Sequence, residues 1–317
     1  MEQPQSNTRV AGIDVGKRWL DAAVHGLEDA VKVANTATQI SELVGWLKAR
    51  EVGRVGLEAT GGYERAARAA LEAAGFEVVV HQPLEVRRFA QLKRWRAKND
   101  RLDARLIAAA TTQVEAVRAA QDPRLAEMAE RLTAYEQVTD QLAELKVFLE
   151  HVALPDLLKD LRAQIASLAR LKQKLAARLL TLIKQHADLL ARLRLLQSLP
   201  GVGPIVAASL LIRMPELGSM RRGQAASLLG VAPFDRDSGQ YKGLRFTAGG
   251  RSRPRRMLYL GATIAKRHDP GLRAFAERLL ARGKPAKLIT VAVMRKLIEA
   301  ANLVLSRGEP WTIRAAN

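Results

Sequence analysis

The spacing of apolar residues changes near Asp122, and this change limits the folds open to the chain more than any other feature. Before this point the apolar residues occur in short runs, which are typical of β-strands. After it they recur at steps of three and four residues, which is typical of long amphipathic helices. These residues are Leu125, Met128, Leu132, Tyr135, Val138, Leu142, Leu145, Phe148 and Val152, then Leu158, Leu161, Ile165, Leu168, Leu171, Leu175, Leu179, Leu182 and His186. Because Pro155 separates the two series, residues 121–190 are predicted to form an α-helical coiled-coil hairpin.

Residues 1–120 carry the pattern of an α/β domain. Residues 9–26 contain two short apolar runs separated by a Gly16-Lys17 turn, which predicts a β-hairpin. Further strands are predicted at 31–34, 52–57 and 76–81, and helices at 38–50, 62–74, 83–94 and 99–114. Three antiparallel strands followed by alternating helices and strands is the order of an RNase H-like fold, and we predict such a domain here.

Residues 191–317 are predicted to form a mainly α-helical domain. The stretch Leu199-Pro200-Gly201-Val202-Gly203-Pro204 lies between two apolar helices and resembles the turn of a helix-hairpin-helix. In such a turn Gly201 and Gly203 let backbone N–H groups approach a DNA phosphate. An ordinary turn between packed helices is the alternative. A loop rich in Gly, Arg and Ser at 235–256 and two apolar helices at 257–268 and 287–306 complete this part.

Positive charge is concentrated in this last part of the chain. The chain has 51 Lys and Arg against 32 Asp and Glu, a net charge of +19. Residues 191–317 hold 23 basic and 7 acidic residues, whereas residues 1–120 hold 18 and 15, and residues 121–190 hold 10 of each. A surplus of this size normally compensates a polyanion, and nucleic acid is the first candidate.

A second basic cluster lies within residues 87–105 and predicts contact with a DNA backbone. A solvated helix face is the alternative. The predicted contact residues in this cluster are Arg87, Arg88, Lys93, Arg94, Arg96 and Lys98.

The composition excludes several other classes of protein. The chain has no Cys, which excludes disulfides, zinc fingers and thiol catalysis and fits a reducing cytoplasm. The longest apolar run, 205–212, is too short to span a bilayer, and the polar start does not resemble a signal peptide. Neither the zinc motif H-E-x-x-H nor a phosphate-binding P-loop occurs. We therefore expect a cytoplasmic protein with no membrane partner.

Four carboxylates stand where an RNase H-like fold would bring them together. Asp14 lies inside the first apolar strand, where a charge is costly unless it is paired or binds metal. Glu58 ends the fourth strand, and Asp100 and Asp103 share one face of a predicted helix. Together they could hold two Mg²⁺ ions about 4 Å apart and so orient a phosphodiester. Surface ion pairs with neighbouring arginines are the alternative for the two helical residues.

The sequence around these carboxylates resembles the DEDD-type insertion-sequence transposases, which have a RuvC-like N-terminal domain and a C-terminal transposase domain. The matching N-terminal motifs are Gly12-Ile13-Asp14-Val15-Gly16-Lys17 with Asp21, Glu58-Ala59-Thr60-Gly61-Gly62-Tyr63, and Lys98-Asn99-Asp100-Arg101-Leu102-Asp103-Ala104. The matching C-terminal motifs are Pro200-Gly201-Val202-Gly203-Pro204, Gly230-Val231-Ala232-Pro233 with Ser238-Gly239, and the stretch from Gly249-Gly250 to Arg256. The resemblance covers nearly the whole chain. The sequence departs from the family at Gly16, where a hydroxylic residue is common, and at Asn99, where Thr is common. Neither position should bind metal.

The resemblance implies a bacterial DNA transposase or recombinase. It implies that Asp14, Glu58, Asp100 and Asp103 form a catalytic tetrad that binds Mg²⁺, and that Ser238 is a nucleophilic serine. It also implies a structured non-coding guide RNA, the bridge RNA, which pairs with donor and target DNA. Double-stranded DNA and this RNA are thus the expected partners. The apolar faces of the two long helices also predict self-association into a homo-oligomer, a dimer or a tetramer.

Ser238 lies in a stretch, 235–239, that is first of all a good turn sequence. As a nucleophile, a serine could attack a phosphodiester and conserve its energy in a phosphoserine bond. Ser252 is the competing hydroxyl, although the arginines around it suggest phosphate contact instead. The predicted nucleic-acid contacts of the C-terminal part are Gly201, Gly203, Lys242, Arg245, Arg251, Ser252, Arg253, Arg255 and Arg256.

Three other functions stay open. The Gly12-Ile13-Asp14-Val15-Gly16 stretch also resembles a phosphate loop of actin-like sugar kinases, but residues 121–317 offer no second copy of that domain. A Holliday-junction-resolvase-like endonuclease would use the same tetrad to hydrolyse DNA and would not need Ser238. A non-catalytic nucleic-acid-binding protein would explain the charge but would leave Asp14 without a role.

Overall fold

The chain folds into two units, an N-terminal unit of Met1–Gln121 and a C-terminal unit of Asp122–Asn317. The computed structural model describes residues 9–94, 100–115, 122–234, 237–238, 241–242 and 246–312. For residues 100–102, 234, 237–238 and 241–242 this description covers the backbone alone. The further division of the C-terminal unit at residue 190 stays a prediction.

The N-terminal unit is built around a five-stranded mixed sheet. Its strands are β1 (Arg9–Val15), β2 (Trp19–Val24), β3 (Ala30–Ala34), β4 (Val52–Glu58) and β5 (Glu77–His81). They lie in the order β3-β2-β1-β4-β5, with antiparallel pairing from β1 to β2 to β3 and parallel pairing from β1 to β4 to β5. The mixed sheet is consistent with the predicted RNase H-like domain.

Helices pack against this sheet and against one another. They are α1 (Ala37–Lys48), α2 (Arg65–Ala73), α3 (Pro83–Leu92) and α4 (Asp100–Thr111). In α1 the buried residues Ile40, Leu43 and Leu47 recur at steps of three and four, which places them on one face of the helix. They join the buried strand residues Ile13 and Leu57 in a single core.

Two glycines let α4 lie directly on the sheet. Gly12 of β1 and Gly56 of β4 are register partners. A Cβ atom at Gly12 would overlap the backbone N of Ala108 and the carbonyl O of Ala104, and one at Gly56 would overlap the hydroxyl of Thr111. Any larger residue at Gly12 therefore has to push the α4 backbone away from the sheet.

Gly12→Ala is expected to lower the free energy of unfolding by about 1–3 kcal/mol, because the added methyl group overlaps backbone atoms that cannot rotate away. Gly45→Ala is the matched control, since Gly45 lies in α1 and an added Cβ there has no neighbour within 4 Å. This control should raise the free energy of unfolding by about 0.5–1 kcal/mol. Urea denaturation of both variants measures the effect, and an unchanged midpoint for Gly12→Ala would contradict the close packing of α4.

Long helices dominate the C-terminal unit. They are α5 (Pro123–Leu149), α6 (Pro155–Lys184), α7 (Ala187–Gln197), α8 (Pro204–Arg213), α9 (Gln224–Leu229), α10 (Ser252–His268), α11 (Pro270–Ala281) and α12 (Ala286–Arg307). Two short strand pairs, β6 (Pro233–Phe234) with β9 (Phe246–Thr247) and β7 (Asp237–Ser238) with β8 (Tyr241–Lys242), lie between α9 and α10. The sequence predicted a loop over 235–256, because two-residue strands show no alternation. It also predicted no helix over 270–281, where the structure has α11.

The α5 and α6 helices pack against each other and share a core with the rest of the unit at one end. Leu132, Leu179 and Ile183 are fully buried there, whereas Phe148 and Leu157, near the connection between the helices, are exposed. Coiled-coil geometry stays a prediction. Within the described ranges, no helix combines the length and the apolar character needed to cross a membrane.

Candidate metal centre and nucleic-acid interface

Asp14 and Glu58 lie on neighbouring parallel strands and on the same face of the sheet. Gly12 pairs with Gly56, and the two carboxylates lie two residues further along the same strands. Because side chains two residues apart share a face, both belong to the face that α4 covers. Both are half-buried.

The α4 helix carries the other two predicted metal ligands. Asp103 is half-buried and directly precedes Ala104, whose carbonyl oxygen lies against Gly12. Asp100 begins the helix, one turn before Asp103, and its side chain lies outside the described part of the chain. The fold therefore places all four positions on β1, β4 and the helix that packs on them.

The donor set suits Mg²⁺, because carboxylate oxygens are preferred ligands of this ion. Asp14, Glu58 and Asp103 each interact with another group of the protein. Among the described residues, no group of three or more His, Asp or Glu side chains is arranged to hold a metal ion. Since the side chain of Asp100 falls outside that description, the four-carboxylate centre stays a prediction.

A fifth carboxylate lies next to Asp14. Asp21 of β2 is the register partner of Asp14, so the two side chains share a face of the sheet. Asp21 is 7% exposed, and its Oδ2 lies 3.1 Å from Nζ of Lys32 on β3. The ammonium group of Lys32 therefore offsets part of the negative charge on this face. The sequence motif contained Asp21 but assigned no role to it.

His81 flanks the site on the other side of Glu58, its register partner. The hydroxyl of Thr111 donates to the carbonyl of Ile107 at 2.7 Å, so its oxygen can accept a hydrogen bond from Nε2 of His81 at 2.8 Å. Burial lowers the pKa of His81 and outweighs the carboxylate of Glu85, which raises it. The neutral imidazole thus ties β5 to α4 beside the predicted ligands.

The lowered pKa of His81 predicts a loss of stability in mild acid. The free energy of unfolding should fall as the pH drops below about 6.5, because the unfolded imidazole then binds a proton that the folded one excludes. This fall should end once the pH lies below the lowered pKa of the folded state. His81→Gln should abolish this part of the pH dependence, and His25→Gln, at an exposed histidine, should retain it. Urea denaturation across pH tests this; identical profiles for His81→Gln and the unmodified chain would contradict the assignment.

Glu64 holds the loop that follows Glu58. Its Oε2 accepts hydrogen bonds from the backbone N–H groups of Thr60 and Gly62 and from the Thr60 hydroxyl, at 2.9–3.1 Å. Burial raises the pKa of Glu64, but these hydrogen bonds outweigh it and lower the pKa overall. The ionised carboxylate therefore fixes the chain directly after a predicted metal ligand. Sequence reasoning missed this residue because its role depends on the shape of the loop.

Exposed basic residues lie beside α4. Arg87 and Arg88 of α3 and the following Lys93 and Arg94 are exposed. The α3 helix packs on α4 through a small cluster of Val86, Leu106 and Ile107. These cations therefore lie on and next to the helix that packs on α4, and their contact with nucleic acid stays a prediction. The predicted contacts Arg96 and Lys98 lie outside the described residues.

Ser238 lies in the β7–β8 strand pair, where its backbone pairs with that of Tyr241. Its side chain lies outside the described part of the structure, as does the side chain of Lys242 in β8. Arg245 is wholly outside it. The predicted roles of these three residues stay predictions.

The four arginines at the start of α10 all have partners within the protein. The partners are Glu216 for Arg251, Glu136 for Arg253, the carbonyl oxygens of Gly230 and Gly249 for Arg255, and Asp140 for Arg256. A guanidinium group has five N–H donors, so these contacts leave donors for a phosphate. Ser252 is exposed among them. Their contact with nucleic acid stays a prediction.

Glu136 of α5 is 3% exposed and accepts hydrogen bonds from two arginines. Arg213 of α8 and Arg253 of α10 both donate to its Oε2, and Arg213 also donates to the hydroxyl of Thr133. A buried carboxylate is costly unless it is paired. The pairing therefore fixes α5 to both α8 and α10.

Helix packing occupies one side of the turn that was predicted to approach DNA. Gly201 has a φ of +73°, and a Cβ atom there would overlap the carbonyl oxygen of Gly261 on α10, so only glycine fits. Gly203 caps α8, and an added Cβ there has no neighbour within 4 Å. The Gly203 side of the turn is open, whereas Gly201 faces α10. Phosphate binding by this turn stays a prediction.

Comparison with known proteins identifies two matching family models. One, described as transposase, matches residues 11–155, and one described as transposase of the IS116/IS110/IS902 family matches residues 193–277. The pilin gene-inverting protein of Moraxella bovis is 26% identical over an alignment of 331 positions, which covers 96% of this chain and 97% of that protein.

Two further similarities cover less of the chain. The uncharacterized 43.6 kDa protein of insertion element IS110 from Streptomyces coelicolor is 27% identical over 189 residues, 59% of this chain and 45% of that protein. The solved RuvC structure from Thermus thermophilus matches 32% of this chain and 92% of its own, with 17% identity and a TM-score of 0.26.

Proposed function

Because the chain belongs to the IS116/IS110/IS902 family of transposases, we propose that it cleaves and rejoins the DNA strands of an insertion sequence. Its relative in Moraxella bovis is named for inverting a gene, and inversion also requires strands to be cut and rejoined. The substrates are double-stranded donor and target DNA, and the protein acts in the bacterial cytoplasm.

The arrangement around β1 is the observation that carries this proposal. Asp14 and Glu58 share the sheet face that α4 covers, and α4 carries Asp100 and Asp103. Several carboxylates on a half-buried sheet face are costly unless they are paired or bind a metal. A metal ion that binds a phosphodiester would explain their collection there.

Asp14, Glu58, Asp100 and Asp103 would hold Mg²⁺. When bound, the metal would neutralise charge on the phosphodiester and favour displacement at phosphorus. The pair of Asp21 and Lys32, at 3.1 Å, keeps the neighbouring carboxylate of β2 compensated, and Glu64 holds the loop after Glu58. We therefore assign these residues to positioning the tetrad.

Ser238 supplies the nucleophile in this mechanism. Its Oγ forms a bond to phosphorus while the bond from phosphorus to a deoxyribose oxygen breaks. In the net reaction the serine proton passes to that departing oxygen. A hydroxyl of another strand then attacks the phosphoserine, which rejoins DNA and restores the serine without hydrolysis.

A structured guide RNA would supply the sequence specificity. Its bases would pair with the DNA, while the protein contacts the nucleic-acid backbones. The excess of 23 basic over 7 acidic residues in 191–317 supports such contacts. We also propose a homo-oligomer, dimer or tetramer. Exposed Phe148 and Leu157 near the connection of α5 and α6 support association through this end.

A recombination assay tests the proposal. A supercoiled plasmid carrying the element ends is incubated with the protein, Mg²⁺ and RNA transcribed from the DNA flanking the gene. We expect new strand junctions by sequencing, their loss with a chelator and their return with added Mg²⁺. Binding without new junctions would instead support a non-catalytic nucleic-acid-binding protein. Cut ends without joining would support the Holliday-junction-resolvase-like endonuclease.

A further inference from the structure

A cavity of 1210 Å³ lies in the C-terminal unit, apart from every residue assigned so far to catalysis or nucleic-acid contact. The α11 and α12 helices, the residues just before α9 and the residues after α12 line it. We call it the α11–α12 groove. It exceeds the about 300–1,000 Å³ of typical small-molecule sites, so a segment of a larger molecule is the better fit.

Five basic residues line the α11–α12 groove, and all of them are exposed. They are Arg222, Arg278, Arg295, Lys296 and Arg307. None of the five forms a salt bridge with a carboxylate among the described residues, in contrast to Arg213, Arg251, Arg253 and Arg256. Their charges are thus available to a ligand.

The three carboxylates of the groove do little to balance these cations. Asp269 is buried and caps α11 by accepting a hydrogen bond from the backbone N–H of Leu272. Glu299 accepts hydrogen bonds from the backbone N–H groups of Gly223 and Ala226 at the start of α9. Two of the three therefore face backbone donors. The third, Glu309, is exposed.

Two aromatic side chains complete the lining. Phe275 and Trp311 line the groove, are half-buried and also pack against the core of this unit. Nζ of Lys296 lies 4.5 Å from the centre of the Phe275 ring. Basic residues interleaved with aromatic rings form the surface on which single-stranded nucleic acids bind, with phosphates on the cations and bases stacked on the rings.

We propose that the α11–α12 groove binds a single-stranded segment of nucleic acid. One of the cations precedes α9, one lies on α11 and three lie on α12, and this spread matches a charge repeated along a backbone better than one compact anion. The concave shape suits a strand with accessible bases, because the bases of a duplex are stacked inside it. The inference deepens the proposed function by assigning a strand, RNA or displaced DNA, to a defined surface.

Binding measurements on the full chain test this proposal. The groove variant combines Arg278→Gln, Arg295→Gln and Lys296→Gln, all at exposed positions. Its matched control combines Arg282→Gln, Lys284→Gln and Lys287→Gln, which are also exposed and lie outside the groove. The probes are a fluorescein-labelled RNA, a single-stranded DNA of the same sequence and the corresponding DNA duplex, followed by fluorescence anisotropy over a range of salt concentrations.

The groove variant should bind single strands at least about ten-fold more weakly, and its slope of log affinity against log salt should fall by about 2, since each phosphate contact contributes about 0.7. The control should change both quantities less, and duplex binding should be equal in the two variants. A larger loss for RNA than for DNA would identify RNA as the natural strand, and the reverse would identify DNA.

Three results would overturn the proposal. Equal losses in the groove and control variants would show that only overall charge matters, and a loss confined to the duplex would place duplex DNA in the groove. Unchanged binding of single strands by the groove variant would exclude them from the groove, and an altered sedimentation coefficient would then assign the groove to a protein surface. Because these assays measure binding alone, their outcome is independent of whether the chain forms recombinant junctions.

Discussion

Asp14→Asn is expected to reduce strand cleavage and joining by at least about 100-fold, because it removes ligand charge from the predicted Mg²⁺ site without changing side-chain volume. Loss of an outer partner of a metal ligand already costs 10–100-fold, and loss of a ligand should cost more. The plasmid recombination assay measures this effect at saturating DNA and Mg²⁺. DNA binding by anisotropy should change little, since the cations stay in place.

Glu77→Gln is the matched control for this prediction. Glu77 begins β5 of the same sheet and pairs with Arg54 at 2.8 Å, at the opposite end of the strand from His81. Removing its charge should leave recombination within about two-fold, because exposed ion pairs contribute at most about 1 kcal/mol to stability. Full activity of Asp14→Asn, or equal losses in both variants, would remove the metal-site assignment.

Ser238→Ala is expected to abolish a covalent protein–DNA adduct. If the serine is the nucleophile, the unmodified chain should form a phosphoserine bond that survives denaturation, and the labelled peptide should contain Ser238. A mechanism with metal-activated water leaves no adduct. Denaturing gels with labelled, nicked DNA detect the species, and mass spectrometry locates it.

Ser252→Ala is the matched control, since Ser252 is the other hydroxyl of this region and is exposed at the start of α10. The adduct should persist in this variant, with at most weaker DNA binding. Recombination at an unchanged rate in Ser238→Ala would show that the nucleophile is another group, and hydrolysis by the carboxylate tetrad would then be the better mechanism.

The N-terminal sheet could be predicted from sequence because each of its strands is a continuous local pattern. The short runs around Asp14 and before Glu58 both became strands. Gly12 and Gly56 carried no such information, since their role depends on an α4 helix that follows much later in the chain. Close packing of this kind is a property of the pair of elements and is invisible within either one.

The positions of the predicted ligands followed from sequence, whereas the groups around them did not. A charge in an apolar strand is conspicuous, so Asp14 could be singled out. In the sequence, His81 looks like the end of an ordinary strand. Only its register with Glu58 and its hydrogen bond to Thr111 show that it lies beside the predicted ligands. The partners of Arg251 and Arg253 are likewise set by tertiary packing, which local composition does not encode.

The buried Glu136 has a mechanical consequence for the α5–α6 hairpin. The α5 helix has 27 residues, a length of about 40 Å at 1.5 Å per residue. Asp140, about one turn further along, pairs with Arg256 of α10, and from there to its end at Leu149 the helix extends by about 14 Å beyond the ion pairs that hold it to α8 and α10. Because the helix is fixed at its base, a molecule docked at Phe148 would lie at a fixed distance and angle from α10. Lengthening both helices by one heptad would move that molecule outward by about 10 Å and turn it only slightly.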